Sequence, residues 1–246
     1  MATEKGKVCV TGGTGFIGSW LIFRLLHRGY SVITTVRSDP AYQEHQKGSK
    51  SSVQISTTQK AEAAIEGCTG VFHVATPVDF EGKEPVEIVT KRSIDGALGI
   101  LKACLNSKTV KRVVYTSSMS TVQFPSNMED IDEAVLEFSE KNGLEVVTLI
   151  PSFVVGPFIC PKFPGSVRTT LALLLDEMTL ESMAEFLSAK YPEFHIPSKD
   201  YLKEITWYKI PSVTSKKLID CGFKFEYGVE EMFRDAIQCC KEKDYL

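Results

Sequence analysis

The chain has 246 residues, of which 43% are hydrophobic and 24% charged, enough apolar side chain for one sizeable core or a core with a small appended lobe. Its formal net charge of −3 leaves no basic excess for nucleic-acid phosphates, and its N-terminal region resembles neither a signal peptide nor a membrane span. We therefore expect a cytoplasmic globular protein without a nucleic-acid or membrane partner.

Cysteine and histidine residues give no sign of a disulfide framework or a metal site. The seven cysteines are odd in number, scattered, and include no pair separated by two residues. The four histidines lack metal-ligand spacing, and His73, within an apolar stretch, is expected to be a hydrogen-bonded core residue. The sequence predicts reduced thiols and no metal.

Hydrophobic periodicity alternates between strand and helix as far as residue 150. Strands are predicted at 8–10, 31–36, 70–74, 112–115 and 145–150. Helices are predicted at 16–27, in a segment ending near Gly67, at 84–107 and at 132–141. In the polar stretch 39–60 only Val53 and Ile55 suggest a further strand. This alternation predicts an α/β fold, a doubly wound parallel sheet with helices on both faces.

The pattern changes after residue 150. Prolines become frequent between residues 151 and 164, and the predicted helices 179–190, 215–220 and 229–241 lack long strands between them. The sequence therefore predicts a smaller, mostly helical C-terminal substrate lobe. The approximate domain bounds are 1–156 and 157–246.

A glycine-rich segment, Thr-Gly-Gly-Thr-Gly-Phe-Ile-Gly at 11–18, stands between a predicted strand and a predicted helix. There, glycines let the backbone approach a pyrophosphate at a helix N-terminus. The alternative is a tight turn that needs glycine only for its backbone angles. The residues expected to contact a dinucleotide are Thr11, Gly12, Thr14, Gly15, Phe16, Ile17 and Gly18.

Arg37 bears on which dinucleotide is bound. It follows the second predicted strand, where an NAD-specific domain places an acidic residue against the ribose hydroxyls. A guanidinium can instead bind the adenosine 2′-phosphate through paired hydrogen bonds. The sequence favours NADPH/NADP over NAD, although a surface arginine at a strand end also arises by chance.

Several further motifs carry a family resemblance. They are Gly-Phe-Ile-Gly-Ser-Trp at 15–20, Gly-Val-Phe-His-Val-Ala-Thr-Pro at 70–77, Thr-Ser-Ser at 116–118, Ile-Pro-Ser-Phe-Val-Val-Gly-Pro at 150–157 and the stretch 235–243. With the glycine-rich segment, they make the chain resemble the plant dihydroflavonol 4-reductase and vestitone reductase group of extended short-chain dehydrogenases/reductases. The resemblance implies a Rossmann domain.

The resemblance also implies a reaction and site residues. In this group NADPH delivers a hydride to a flavonoid-type ketone, while a serine, a tyrosine and a lysine handle the carbonyl oxygen. Ser118 matches the serine, whose alternative role is to cap the end of a strand. The further cofactor-binding residues that the resemblance implies are Val74, Ala75, Thr76, Ser117, Pro151 and Val154.

The family's tyrosine and lysine are missing. They lie four residues apart on one helix and share a face, but no tyrosine of this chain is followed by lysine at the fourth position. Residues 127–133 stand where the tyrosine motif would precede the family-like segment 134–138. Family segments are also absent within 39–60 and between Leu175 and Glu177. We interpret these as internal deletions, from a splice form or a decayed gene copy.

Three functional hypotheses follow. The chain is an NADPH-dependent reductase of flavonoid-type ketones, or an NADP-binding relative without catalytic activity, or a chain whose deletions prevent stable folding. Tyr115 lies near Ser118 in sequence, but as a strand residue it is expected to pack in the sheet rather than to replace the missing proton donor.

Overall fold

A computed structural model describes residues 5–36, 53–56, 61–75, 84–118, 129–152, 154–167, 185, 188–189 and 214–245. The chain divides into two compact units. The first comprises Met1–Pro151 and Phe158–Lys162, and the second comprises Ser152–Pro157 and Phe163–Leu246. All seven cysteines are free thiols. Among the described helices, none has the length and apolar character of a membrane span.

The first unit contains a six-stranded sheet of order β3-β2-β1-β4-β5-β6, in which every neighbouring pair is parallel. Its strands are β1 Lys7–Thr11, β2 Ser31–Thr35, β3 Val53–Ser56, β4 Gly70–His73, β5 Arg112–Thr116 and β6 Glu145–Leu149. The predicted parallel sheet is confirmed, and the residues Val53 and Ile55 belong to β3. β-branched residues dominate these strands because both faces of such a sheet are covered.

Helices cover both faces of the sheet, as predicted for a doubly wound fold. They are α1 Phe16–His27, α2 Ala61–Ile65, α3 Val86–Ser107 and α4 Glu129–Asn142. On one face, Ile65, Leu101 and Val135 from α2, α3 and α4 belong to a core cluster with strand residues such as Val113. On the other face, α1 packs Leu25 against β1 and β2.

Helix α4 begins earlier than the sequence predicts. The hydrophobic pattern predicts this helix at 132–141. In the structure the helix spans Glu129–Asn142, so Asp132 lies within it. Its carboxylate is used in a tertiary contact with Ser117 rather than as a cap.

In the second unit the described helices of four residues or more are α5 Lys216–Asp220 and α6 Val229–Glu242. The buried residues of α6 recur at helical spacing, as in Phe233, Ala236 and Cys240, so this helix is amphipathic. Its start is fixed by the Gly228 N–H, which donates to the Glu231 carboxylate at 2.9 Å. Most of the predicted helix 179–190 lies outside the described residues.

Candidate active site

The carboxyl ends of the parallel strands meet along one edge of the sheet. Strand register pairs Thr11 with Thr35 and with His73, and pairs Tyr115 with His73. The segments 12–15, 74–75, 117–118 and 150–151 follow these strands, so the structure brings them to the same edge. The strand order reverses between β1 and β4, where open α/β sheets bind ligands.

The loop between β1 and α1 is a tight glycine turn. Gly12 has a φ of +72°, which side-chain-bearing residues rarely adopt. The Gly15 N–H donates to the Gly12 carbonyl at 2.9 Å, and the Gly13 N–H donates to the Thr35 carbonyl at 3.2 Å. These bonds hold the loop against the end of β2.

The glycines of this loop also leave no room for a side chain. A Cβ on Gly12 would lie 3.1 Å from Ala75, one on Gly13 would overlap the Thr34 hydroxyl, and one on Gly18 would overlap the Gly12 carbonyl oxygen. The loop therefore presents bare backbone at the carboxyl edge of the sheet. Such a surface can approach a phosphate closely.

Helix α1 points its N-terminus at this loop. Gly15 is its N-cap and provides no side-chain cap, and the Ser19 N–H makes the first helical bond, to the Gly15 carbonyl at 2.9 Å. The N–H groups of 16–18 precede that bond and so have no acceptor within the helix. With the helix dipole they favour an anion, which fits the pyrophosphate of a dinucleotide.

Thr11 joins the glycine loop to the end of β4. Its Oγ1 accepts hydrogen bonds from the N–H groups of Val74 at 3.1 Å and Ala75 at 3.2 Å, and lies 2.8 Å from Nδ1 of His73. Because both lone pairs of Oγ1 are used, its proton is donated to Nδ1. His73 is therefore the neutral tautomer with its proton on Nε2.

His73 is a core residue, as predicted. It is 6% exposed, and burial lowers its pKa to about 4. Its ring stacks on Tyr115 with the centroids 5.8 Å apart. The histidine thus links the glycine loop to β5 through packing and a hydrogen bond rather than acting as a base.

The two serines that follow β5 differ in their surroundings. Ser117 is buried, its N–H donates to the Leu149 carbonyl at 2.8 Å, and its hydroxyl donates to Oδ2 of Asp132 at 2.6 Å. Ser118 is half-buried at the carboxyl edge. The Ser117 hydroxyl is therefore committed to the fold.

Tyr115 is enclosed beneath these serines. It is 3% exposed, and burial raises the pKa of its phenol. The negative charge of the neighbouring Asp132 carboxylate raises that pKa further. The other oxygen of that carboxylate, Oδ1, is buried without a hydrogen bond in the described part of the chain. Tyr115 packs in the sheet, which confirms the sequence interpretation.

Helix α4 occupies the place after β5 without the tyrosine and lysine. Its buried side carries Ile131 and Val135, which are 2% and 1% exposed, together with Asp132. Sequence reasoning missed Asp132. Its signal is a carboxylate within the apolar stripe of a helix, which calls for a tertiary partner.

The remaining predicted residues are placed as follows. Pro151 follows β6 and is half-buried, and Val154 is half-buried in the second unit. Arg37 and Thr76 lie outside the described residues. Within the described ranges, no group of three or more His, Cys, Asp or Glu residues could hold a metal ion.

Comparison with known proteins places the chain among reductases. Residues 9–143 match the model of the 3-beta hydroxysteroid dehydrogenase/isomerase family. Vestitone reductase of Medicago sativa is 43% identical, with both chains covered fully. Dihydroflavonol 4-reductase of Callistephus chinensis is 37% identical over 97% of this chain and 87% of that protein.

The crystal structure of vestitone reductase from alfalfa superimposes with a TM-score of 0.79 at 41% identity, covering 98% of this chain and 100% of that one. The sequence alignment with vestitone reductase spans 326 positions, 80 more than the 246 residues of this chain. Both ends align, so the missing positions are internal. The predicted deletions are confirmed.

Proposed function

Since this chain belongs to the dihydroflavonol 4-reductase and vestitone reductase family of extended short-chain dehydrogenases/reductases, which are oxidoreductases, we propose that it binds NADP(H) and reduces a flavonoid-type ketone. The glycine loop at the β1/β4 switch point is the observation that carries the proposal, because its close packing at Gly12, Gly13 and Gly18 leaves bare backbone beside a helix N-terminus. The alternative, a tight turn that needs glycine only for its backbone angles, does not explain why α1 begins beside the loop without a side-chain cap.

Residues along this sheet edge would contact successive parts of the cofactor. Backbone groups of 12–18 would bind the pyrophosphate, and Arg37 would bind the 2′-phosphate. The segment 74–76, Ser117 and Pro151 would face the ribose and nicotinamide. Thr11 would act indirectly, by fixing the glycine loop to Val74 and Ala75.

The cofactor, when bound, supplies the hydride that goes to the carbonyl carbon. Ser118 donates a hydrogen bond to the carbonyl oxygen and so orients the substrate. With no tyrosine four residues before a lysine, the oxygen takes its proton from water. Loss of a positioned general acid costs about 10²- to 10⁴-fold in rate, and we expect turnover reduced by that factor relative to vestitone reductase.

The same absence favours a second candidate, a chain that binds NADP(H) without turnover. The two are separated by NADPH consumption with a vestitone-like isoflavanone or a dihydroflavonol, measured beside direct NADPH binding. Slow turnover that disappears in Ser118→Ala supports the reductase. Binding by a folded chain with no turnover supports the second candidate, and absence of NADPH binding rejects both.

Cofactor choice has its own test. Arg37→Asp removes the cation proposed to bind the 2′-phosphate and places a carboxylate there. We expect NADPH affinity to fall at least tenfold more than NADH affinity, since a bidentate charged contact is replaced by repulsion. Equal loss for both cofactors would remove Arg37 from the site.

A further inference from the structure

A cavity of about 350 Å³ lies at the amino edge of the sheet, opposite the edge assigned to the cofactor. The described residues that line it fall between 5 and 114 and so belong to the first unit. Small-molecule sites typically have volumes of roughly 300–1,000 Å³, and this cavity falls within that range. Nothing in the proposed reductase activity uses this edge.

The walls of the cavity are apolar. Val8, Leu25 and Phe72 belong to the cluster that α1 forms with the sheet. Val114 lines the cavity beside them, since its neighbour Val113 points to the opposite face of the sheet. Phe72 and Val114 are only half-buried, so apolar surface remains available to a ligand.

Cationic side chains surround these walls. Lys5, Arg28 and Arg112 line the cavity, and all three are exposed. Arg112 is neutralised by Glu145, whose carboxylate lies 2.6 Å from the guanidinium. The side chains of Lys5 and Arg28 have no ion pair with the described part of the chain. Two uncompensated cations beside an apolar cavity favour a ligand with an anionic group and an apolar body.

Backbone hydrogen bonds hold these two cations beside each other. The Lys5 N–H donates to the Gly29 carbonyl at 3.1 Å, which ties the chain before β1 to the end of α1. The Arg28 N–H donates to the Arg24 carbonyl at 3.1 Å as the helix ends. The Tyr30 N–H donates back to Leu25 at 3.1 Å. The cation pair is therefore set by the fold before any ligand binds.

Gly70 leaves part of this space unfilled. It lines the cavity, and a side chain there would point to the same face as Phe72, two residues later. A Cβ on Gly70 would lie 3.6 Å from the Arg112 carbonyl oxygen and 3.8 Å from Cγ1 of Val8, which are ordinary van der Waals distances. The fold therefore tolerates a side chain at this position, and the cavity would receive it.

We propose that this cavity binds a small organic anion, a carboxylate or sulfonate on an aromatic body. Lys5 and Arg28 bind the anionic group, and Tyr30 and Phe72 supply aromatic surface for the body. The site is at the opposite end of the strands from the glycine loop, so its occupation does not require the cofactor.

Fluorescence titration with anilinonaphthalene sulfonate tests the site. Phenylnaphthylamine, which has the same aromatic body without the sulfonate, is the matched uncharged probe. We expect the sulfonate to bind saturably, at least about fivefold more tightly than the uncharged dye, and more weakly as salt is added. An excess of NADP should leave its affinity unchanged. Displacement by NADP would place the dye at the cofactor edge and overturn the proposal.

Three variants locate the bound dye. Arg28→Ala and Lys5→Ala should each weaken sulfonate binding about fivefold or more. Gly70→Val keeps both charges but fills the cavity, and should weaken it about tenfold; valine suits a strand, so the fold should be retained. Lys102→Ala, which removes an exposed cation on α3, should have no effect.

A thermal melt of each variant checks that the chain remains folded. Equal affinity for the charged and uncharged dyes overturns the proposal. So does sulfonate binding that Arg28→Ala and Lys5→Ala leave unchanged, because the dye would then rest on apolar surface elsewhere. None of these outcomes depends on turnover, so a chain without reductase activity can still confirm or contradict the site.

Discussion

Two neighbouring parts of one sheet edge differ in how completely they are built. Around β1 and β4, hydrogen bonds connect the residues that follow the strands. The Thr11 hydroxyl accepts from the N–H groups of Val74 and Ala75 and donates to Nδ1 of His73. Around β5 and α4, one buried oxygen of Asp132 has no hydrogen bond to the described residues, and the sequence lacks the family's tyrosine and lysine. In the proposed reductase, cofactor binding and proton donation would reside on separate elements, and the deletion would have removed the second without the first.

The largest effect should come from filling the glycine turn. In Gly18→Ala the new Cβ overlaps the Gly12 carbonyl oxygen, and neither backbone group can move without breaking the turn. We expect NADPH affinity to fall about tenfold to a hundredfold, since losing one hydrogen bond to a charged phosphate costs about 1.5–3 kcal/mol. Isothermal titration calorimetry measures it.

Gly99→Ala is the matched control for that substitution. Gly99 lies within α3, and a Cβ there has no atom within 4 Å. We expect unchanged NADPH binding and a free energy of unfolding higher by about 0.5–1 kcal/mol, the helix preference of alanine over glycine. If both variants bind NADPH as the wild type does, the glycine turn is not the cofactor site.

The pH dependence of stability should report on His73. Its pKa is about 4 in the folded chain against 6.5 for the ordinary imidazole, because burial disfavours the charged form. Between those values the unfolded chain binds a proton that the folded chain does not. The free energy of unfolding therefore falls as pH falls from 6.5 towards 4, by roughly 3 kcal/mol over the window.

Urea unfolding at several pH values measures this effect. In His73→Asn the amide oxygen can still accept the Thr11 proton, but the side chain no longer titrates. The difference between the two chains isolates His73 from the carboxylates that titrate in the same range. Parallel pH profiles for wild type and variant would show that the histidine is not held neutral in the folded chain.

Much of this architecture could be predicted from sequence because its physical signals are local. The glycine turn requires bare backbone at fixed positions, and strand-helix alternation marks a parallel sheet. The Asp132 contact could not be predicted, since its partner Ser117 is fifteen residues away and the pairing depends on how α4 packs on β5.

A smaller effect should distinguish Ser117 and Ser118, the two serines that follow β5. Ser117→Ala removes the donor to Asp132 and leaves a partly buried carboxylate with less support, so the free energy of unfolding should fall by about 1–3 kcal/mol. Ser118→Ala should act on turnover instead. Chemical unfolding and NADPH consumption are measured on both variants. Unchanged stability in Ser117→Ala would contradict the distinction.

Thiol reactivity gives the smallest effect and tests how tightly the sheet is packed against its helices. Cys9, Cys68 and Cys104 lie in the core cluster shared by the sheet with α2, α3 and α4, and burial, aided by neighbouring thiols, raises the pKa of Cys9 to about 12. Cys221 is exposed, while Cys160, Cys239 and Cys240 are buried. A thiol reagent should modify Cys221 in the folded chain and all seven cysteines after denaturation. Rapid labelling of Cys9 or Cys104 in Cys221→Ser would mean that this core cluster opens readily in the folded chain.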